Sequence, residues 1–305
     1  MGKILITGVS GFLGNHLLDY LSENKTLDRR KLCFLTSKNI DGYHCVLHND
    51  YTYDSSVLPP IDTVIHLGAF CPKTREEAND IQKNVNTVNT CAYLVGHLPN
   101  IPKKIVYIST ISVYGKKLIN YPSYINEETE VSPDLLYGYA KLIGEKIFEE
   151  YCRKNSIDLC ILRLGVSYGG NDTLFRSGTI PTIVKAIVNR KELKLYNNGS
   201  SLKHFIHTYD ISRIILEAAI KNVNGIINVV DSKGITILQI VKIMEELSKR
   251  TAKLNFIENN SNNDTLFDNR TMIDNFGNLR IDIYTGLKDV YDFCKKMEDK
   301  INNVS

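Results

Sequence analysis

Tyr137 and Lys141 stand four apart in "YGYAKLIGEK", a spacing that puts both side chains on one face of a helix. An ammonium beside a phenol favours the phenolate, so Lys141 is expected to bring Tyr137 down from the ordinary phenol pKa of about 10. Such a phenol suits proton exchange with a carbonyl–alcohol pair. The same spacing recurs at Tyr284 and Lys288, where it reads as a surface helix pair. Ser109 and Thr110 close the strand-like run "KIVYIST", and an open α/β sheet binds its ligand at the carboxyl ends of its strands. A further constellation lies in "TGVSGFLG", where Gly8, Gly11 and Gly14 fall at three-residue intervals. It links the run "KILI" to a helical pattern of Phe12, Leu13, Leu17, Leu18 and Leu21. Such a turn either lets a phosphate reach unpaired N–H groups at a helix N-terminus or packs tightly on its own helix.

The elements that must position these residues alternate along the chain. "KILI", "KLCFLT", "TVIHLGA", "KIVYIST" and "DLCILRLG" read as strands. "FLGNHLLDYLSE", "NDIQKNVNTVNTCAYLVGHL" and "YGYAKLIGEKIFEEYCRKN" have helical length and periodicity. Near-continuous apolar strands between helices predict an α/β chain built on a doubly wound, Rossmann-type parallel sheet. Beyond Gly169 the alternation lapses into the polar "GGNDTLFRSGTIP", and a helix is expected just past Pro181. The expected organisation is a dinucleotide-binding domain over 1–167, with 209–230 returning to it, and a smaller substrate lobe from 168–208 and 231–305.

The 305 residues are 43% hydrophobic and 23% charged, with a formal charge of +3. That is the make-up of an ordinary soluble globular protein, with no basic run to hold nucleic acid. No apolar stretch has the length of a membrane span, and the first residues read as a strand rather than a leader. Seven scattered cysteines, none in C-x-x-C spacing, are expected to be reduced thiols, mostly in the core. A cytoplasmic protein with no metal site is the expectation.

The motifs in their order resemble the extended short-chain dehydrogenase/reductase family, in its nucleotide-sugar epimerase and dehydratase branch. "TGVSGFLG" resembles that family's cofactor turn, "ND" at Asn49 and Asp50 its adenine-contacting position, and "DTVIHLGA" the strand under the nicotinamide ribose. "NVNTVNT" from Asn84, "STISVYG", "YGYAKLIGE", "LRLGVSYG" and "LYNNGSSLKHFIHTYDI" resemble its later landmarks. The resemblance implies Tyr137 as catalytic acid/base, Lys141 as ribose holder and tuner, and Thr110 as partner of the reacting oxygen. It implies an NAD or NADP site formed by Gly8, Gly11, Phe12, Leu13, Gly14, Thr36, Ser37, Lys38, Asp50, Tyr51, Leu67, Gly68, Ala69, Asn84 and Ser109, with Tyr137 and Lys141.

Three departures from the family pattern bear on function. Dehydratases carry an acidic pair after the Ser/Thr, where this chain has Ile111 and Ser112, so dehydration is not expected. NAD-using members end the second strand on Asp or Glu, where this chain has Thr36, Ser37 and Lys38. That segment leans toward NADP, although Lys38 reads equally as a solvated loop residue. The family's phosphate-binding Arg is Lys203 here, followed by His204 in place of Asp, and no Arg falls near Asn263 to Thr265. A lysine offers a point charge rather than a bidentate fork. The implied substrate site therefore comprises Ser112, Arg176, Lys203 and His204, with Arg176 as the compensating cation. The implied activity is a nucleotide-sugar 4-epimerase, with an NADPH-dependent 4-keto-sugar reductase as the alternative and a non-catalytic nucleotide sensor as a third reading. A homodimer through helices at about 80–98 and 137–152 is implied too.

Overall fold

The computed structural model describes residues 2–24, 27–49, 52–118, 124–170, 178–258 and 265–302; for 116–118 and 297–302 only the backbone is described. Five apolar segments form the strands β1 (Lys3–Thr7), β2 (Leu32–Thr36), β4 (Ile61–His66), β5 (Lys104–Thr110) and β6 (Asp158–Leu164). A short edge strand, β3 (His44–Leu47), lies beyond β2, and β11 (Gly225–Val229) lies beyond β6. All seven run parallel in the order β11-β6-β5-β4-β1-β2-β3. The order reverses between β1 and β4, and an open sheet forms its crevice at that switch point.

Helices cover both faces, as a parallel sheet requires. On one side lie α1 (Phe12–Asn24) and α5 (Thr208–Ile220), packed with Ile4, Ile6, Val106 and Leu162 in one apolar cluster. On the other, α2 (Ile81–Gly96) and α3 (Leu136–Asn155) cover Leu5, Val64, Ile105 and Ile161. The α2 N-terminus is capped by Asp80, whose carboxylate accepts the Lys83 N–H at 3.0 Å.

The rest of the chain builds a second layer beside the carboxyl ends of the strands. It comprises β7 (Val166–Tyr168), α4 (Thr179–Val188), β8 (Glu192–Tyr196), β9 (Leu202–Lys203) and β10 (Phe205–His207). After β11 come β12 (Ile235–Thr236), α6 (Ile237–Ser248), β13 (Lys253–Ile257) and α8 (Ile283–Asn302), whereas α7 (Arg270–Phe276) returns to the sheet, with Met272 and Phe276 in the α1/α5 cluster. The core of the second layer joins α4, α6 and α8 through Ile183, Val184, Ile240, Met244, Leu287 and Val290. Short strands pair as β7 with β10, β9 with β12 and β8 with β13. Helix α4 begins at Thr179, before Pro181 rather than after it. Proline suits a first helical turn, where its missing N–H costs no bond.

Candidate active site

The three glycines of the first turn differ in why they are glycine. Gly8 has φ +73°, and a Cβ there would stand 2.6 Å from the Gly68 nitrogen at the end of β4. A Cβ on Gly14 would stand 2.4 Å from both the Gly8 oxygen and the Val9 Cα, so Gly14 lets α1 close onto its own turn. Gly11 is different: its Cβ would meet only the Gly8 oxygen, at 3.2 Å, and otherwise project into open space. Gly8 and Gly14 thus serve packing, while Gly11 leaves the cleft side of a helix N-terminus bare. A pyrophosphate fits such a surface. The turn is braced by Thr7, whose hydroxyl accepts the Gly68 N–H at 3.1 Å and shares a 2.8 Å hydrogen bond with the His66 ring.

Above this turn runs a cleft of 1520 Å³ along the carboxyl ends of β1, β2, β4, β5 and β6 and against the second layer. Its walls include Gly8, Gly11, Phe12, Leu13, Gly14, Ser37, Leu67, Gly68, Ala69, Ser109, Thr110, Ser112, Tyr137, Lys141, Lys203 and His204. Among the described residues no Asp or Glu lines it, whereas Lys73, Arg75, Lys141, Lys194 and Lys203 do. Such a wall favours polyanionic ligands. Lys203 has no hydrogen bond or ion pair through its ammonium among the described residues, and burial holds its pKa below the ordinary lysine value. The His204 ring bridges two loops, its nitrogens 2.6 Å from the Asp231 carbonyl oxygen and 2.8 Å from that of Thr265.

Tyr137 opens the first turns of α3 and meets the end of β5. Burial pushes its phenol well above the usual value, with the neighbouring Cys71 adding to the rise and the nearby Thr110 hydroxyl opposing it. Lys141 is buried and does not lower it. Its ammonium donates to the Ile108 carbonyl oxygen at 2.5 Å and sits 4.8 Å over the Tyr107 ring. The expected downward shift of Tyr137 is therefore corrected: desolvation outweighs an ammonium that is aimed at the strand. Burial lowers the Lys141 pKa in turn. Thr110 Oγ1 donates to Ser112 Oγ at 3.2 Å, which gives the phenol a neighbouring pair of hydroxyls.

Several sequence expectations land elsewhere. Asn84 stays out of the cleft wall: its side-chain amide donates to the Ala78 and Asp80 carbonyls, at 3.1 and 2.7 Å, and holds the start of α2. Thr36 is buried at the end of β2, and its hydroxyl accepts the Lys38 N–H at 3.3 Å. Lys38 is exposed and outside the wall, so Ser37 alone of that trio lines the cleft. Asp50, Tyr51 and Arg176 lie outside the described residues. The second Tyr/Lys pair sits on α8, with Tyr284 near Glu246 at 3.5 Å and Lys288 paired to Asp292 at 2.5 Å. The sequence reading missed Cys71, Lys73 and Arg75, which line the cleft just beyond β4. Their signal was position alone: they follow a strand's carboxyl end. None of the seven cysteines forms a disulfide. Among the described residues no helix is long and apolar enough to cross a membrane.

A doubly wound sheet, a glycine turn under an anion-favouring cleft, and a Tyr/Lys helix against a strand-end threonine define a nicotinamide-dinucleotide enzyme of the extended short-chain dehydrogenase/reductase type. The chain belongs to the NAD dependent epimerase/dehydratase family, whose model matches residues 4–230. It is 26% identical over 283 residues to an uncharacterized UDP-glucose epimerase of Bacillus subtilis, covering 83% of this chain and 84% of that one. It is 27% identical over 237 residues to a dTDP-D-glucose 4,6-dehydratase of Dictyostelium discoideum, of which it spans 53%. The fold superposes on the UDP-glucuronic acid 4-epimerase of Bacillus cereus, solved with UDP-glucuronic acid and NAD, with a TM-score of 0.81. That match is 23% identical and covers 97% of this chain and 99% of that one.

Proposed function

We infer that the protein is a nucleotide-sugar 4-epimerase. The observation that carries this reading is that Tyr137, Lys141 and Thr110 line one cleft whose described walls hold no carboxylate but do hold the buried Lys203 ammonium. A bound nicotinamide dinucleotide supplies a hydride acceptor and donor. The chain supplies the proton chemistry: Tyr137 exchanges the proton of the sugar C4 oxygen, and Thr110 hydrogen-bonds the same oxygen. Lys203 meets the diphosphate, and the glycine turn holds the cofactor pyrophosphate against the α1 N-terminus. Ile111 and Ser112 line the wall directly after Thr110, without a carboxylate to eliminate water, which argues against dehydration.

A second reading, the 4-keto-sugar reductase, is favoured by the adenosine end. Ser37 lines the wall there, and no described carboxylate repels a 2′-phosphate. We take the dimer to form through α2 and α3, where Ile81, Val85, Leu136, Tyr139 and Ile143 are exposed while Phe148 is buried against the sheet. Size-exclusion chromatography of an Ile81→Glu, Ile143→Glu variant tests this, with a monomer expected.

The functional test incubates protein and NAD with UDP-glucose or UDP-glucuronic acid and follows C4 epimers by NMR. Epimer formation is expected, falling by about 10²- to 10⁴-fold in Tyr137→Phe, since only the proton-transferring hydroxyl is lost. No epimer from either sugar, with NADPH-dependent reduction of a nucleotide 4-keto sugar, would replace the first reading by the second.

A further inference from the structure

Glu145 is a fully buried carboxylate that the chemistry above does not use. It lies one helical turn past Lys141 and two past Tyr137, on the same face of α3. Arg163 on β6 grips it bidentately, Nε to Oε1 at 3.0 Å and Nη2 to Oε2 at 2.7 Å. The guanidinium cannot swing away, because its Nη1 donates to the Tyr114 hydroxyl at 2.9 Å and it lies 5.0 Å over that ring. Replacing a buried ion pair with apolar residues of similar volume is often neutral or stabilising. Stability alone does not explain it.

The pair holds something else. Glu145 Oε1 also accepts the Ser109 hydroxyl at 2.5 Å, and Ser109 precedes Thr110. Two successive residues of β5 are thus tied to successive turns of α3, Ile108 to Lys141 and Ser109 to Glu145, while the next strand residue, Thr110, and the preceding helical turn's Tyr137 line the cleft. These two ties fix the register that sets Thr110 against Tyr137. We propose that Glu145 and Arg163 are positioning residues for the Tyr137 reaction, setting the approach of Thr110 to Tyr137 through the Ser109 hydroxyl. On this assignment Ser109 serves its neighbours rather than the ligand. A misplacement of about 1 Å can cost 10²-fold in rate, so a slack register weakens turnover before it weakens binding.

The proposal rests on the Tyr137 role inferred above, so its test has a substrate-free arm. Ser109→Ala removes one hydroxyl and leaves the ion pair intact. Glu145→Leu/Arg163→Leu removes the pair without stranding a charge. Each holoenzyme, loaded with NAD, is expected to lose about tenfold in kcat on UDP-glucose or UDP-glucuronic acid. NAD affinity and sugar-nucleotide KM should stay within about twofold. Ser109→Thr, which keeps the hydroxyl, is expected to recover most of the rate. In protein labelled at tyrosine Cζ, the Tyr137 resonance, assigned by its loss in Tyr137→Phe, should move in both variants. Folded variants with wild-type kcat, or with an unmoved Tyr137 resonance, overturn the proposal. If wild type turns over neither sugar, the epimerase reading fails, and the resonance decides the positioning role by itself.

Discussion

Gly11 and Gly14 sit in one turn, and alanine at each should damage a different property. A Cβ on Gly14 would lie 2.4 Å from two backbone atoms, about 1 Å inside normal contact, and backbone cannot rotate aside. Overpacking of this kind costs about 1–3 kcal/mol, and the rigid neighbours put Gly14→Ala near the upper figure. At roughly 2 °C per kcal/mol for a chain of this size, the melting temperature should fall by about 5 °C. Gly11→Ala meets one atom at 3.2 Å, so the fold should keep its melting temperature. Its methyl, however, projects where a pyrophosphate would approach. Losing one charge-assisted hydrogen bond of about 1.5–3 kcal/mol weakens cofactor binding by roughly ten- to hundredfold. Thermal melts with and without NAD, beside NADH fluorescence titrations, separate the two outcomes. Wild-type NADH affinity in Gly11→Ala would refute the pyrophosphate assignment, and a wild-type melting temperature in Gly14→Ala would refute the packing argument.

Three further outcomes follow from the same geometry. Ser37→Asp, rather than a change at buried Thr36, should weaken NADPH relative to NADH by at least about tenfold through charge repulsion that fades at high salt; paired titrations with an unchanged ratio would remove Ser37 from the ribose. Lys203→Met should raise the sugar-nucleotide KM by roughly ten- to hundredfold while sparing NAD affinity, and an unchanged KM would place the diphosphate elsewhere. Burial holds His66 down at about 3, with Lys141 adding to the shift, and His16 down at about 4. Both are neutral when folded, whereas the unfolded chain takes up protons below about 6.5, so stability is complete above that pH and falls as pH drops toward 4. Each histidine can forfeit about 3 kcal/mol over that window, and a melting temperature flat from pH 7 to 5 would contradict their burial as neutral rings.

The glycine turn, the five long strands and the helices α1, α2 and α3 were legible in the sequence, because each is a local matter: a continuous apolar run, a 3.6-residue period, or a residue without Cβ. Tyr137 and Lys141 were legible for the same reason, since residues four apart on a helix share a face whatever surrounds it, and Thr110 because it closes an apolar strand run. The strand β3 was not. It is an edge strand with one buried residue, Val46, so it shows no apolar run. Strands β8 and β13 escaped too, because each is made by a partner about 60 residues away in the chain. Sequence offered Thr36, Ser37 and Lys38 as equals at the end of β2. Only the folded strand decided that Thr36 turns inward, Ser37 faces the cleft and Lys38 leaves it. The Tyr137 phenol shows the limit most clearly: spacing places Lys141 beside it, but burial and the direction of that ammonium depend on β5. Distances across the sheet, and the water they exclude, set the sign of the shift.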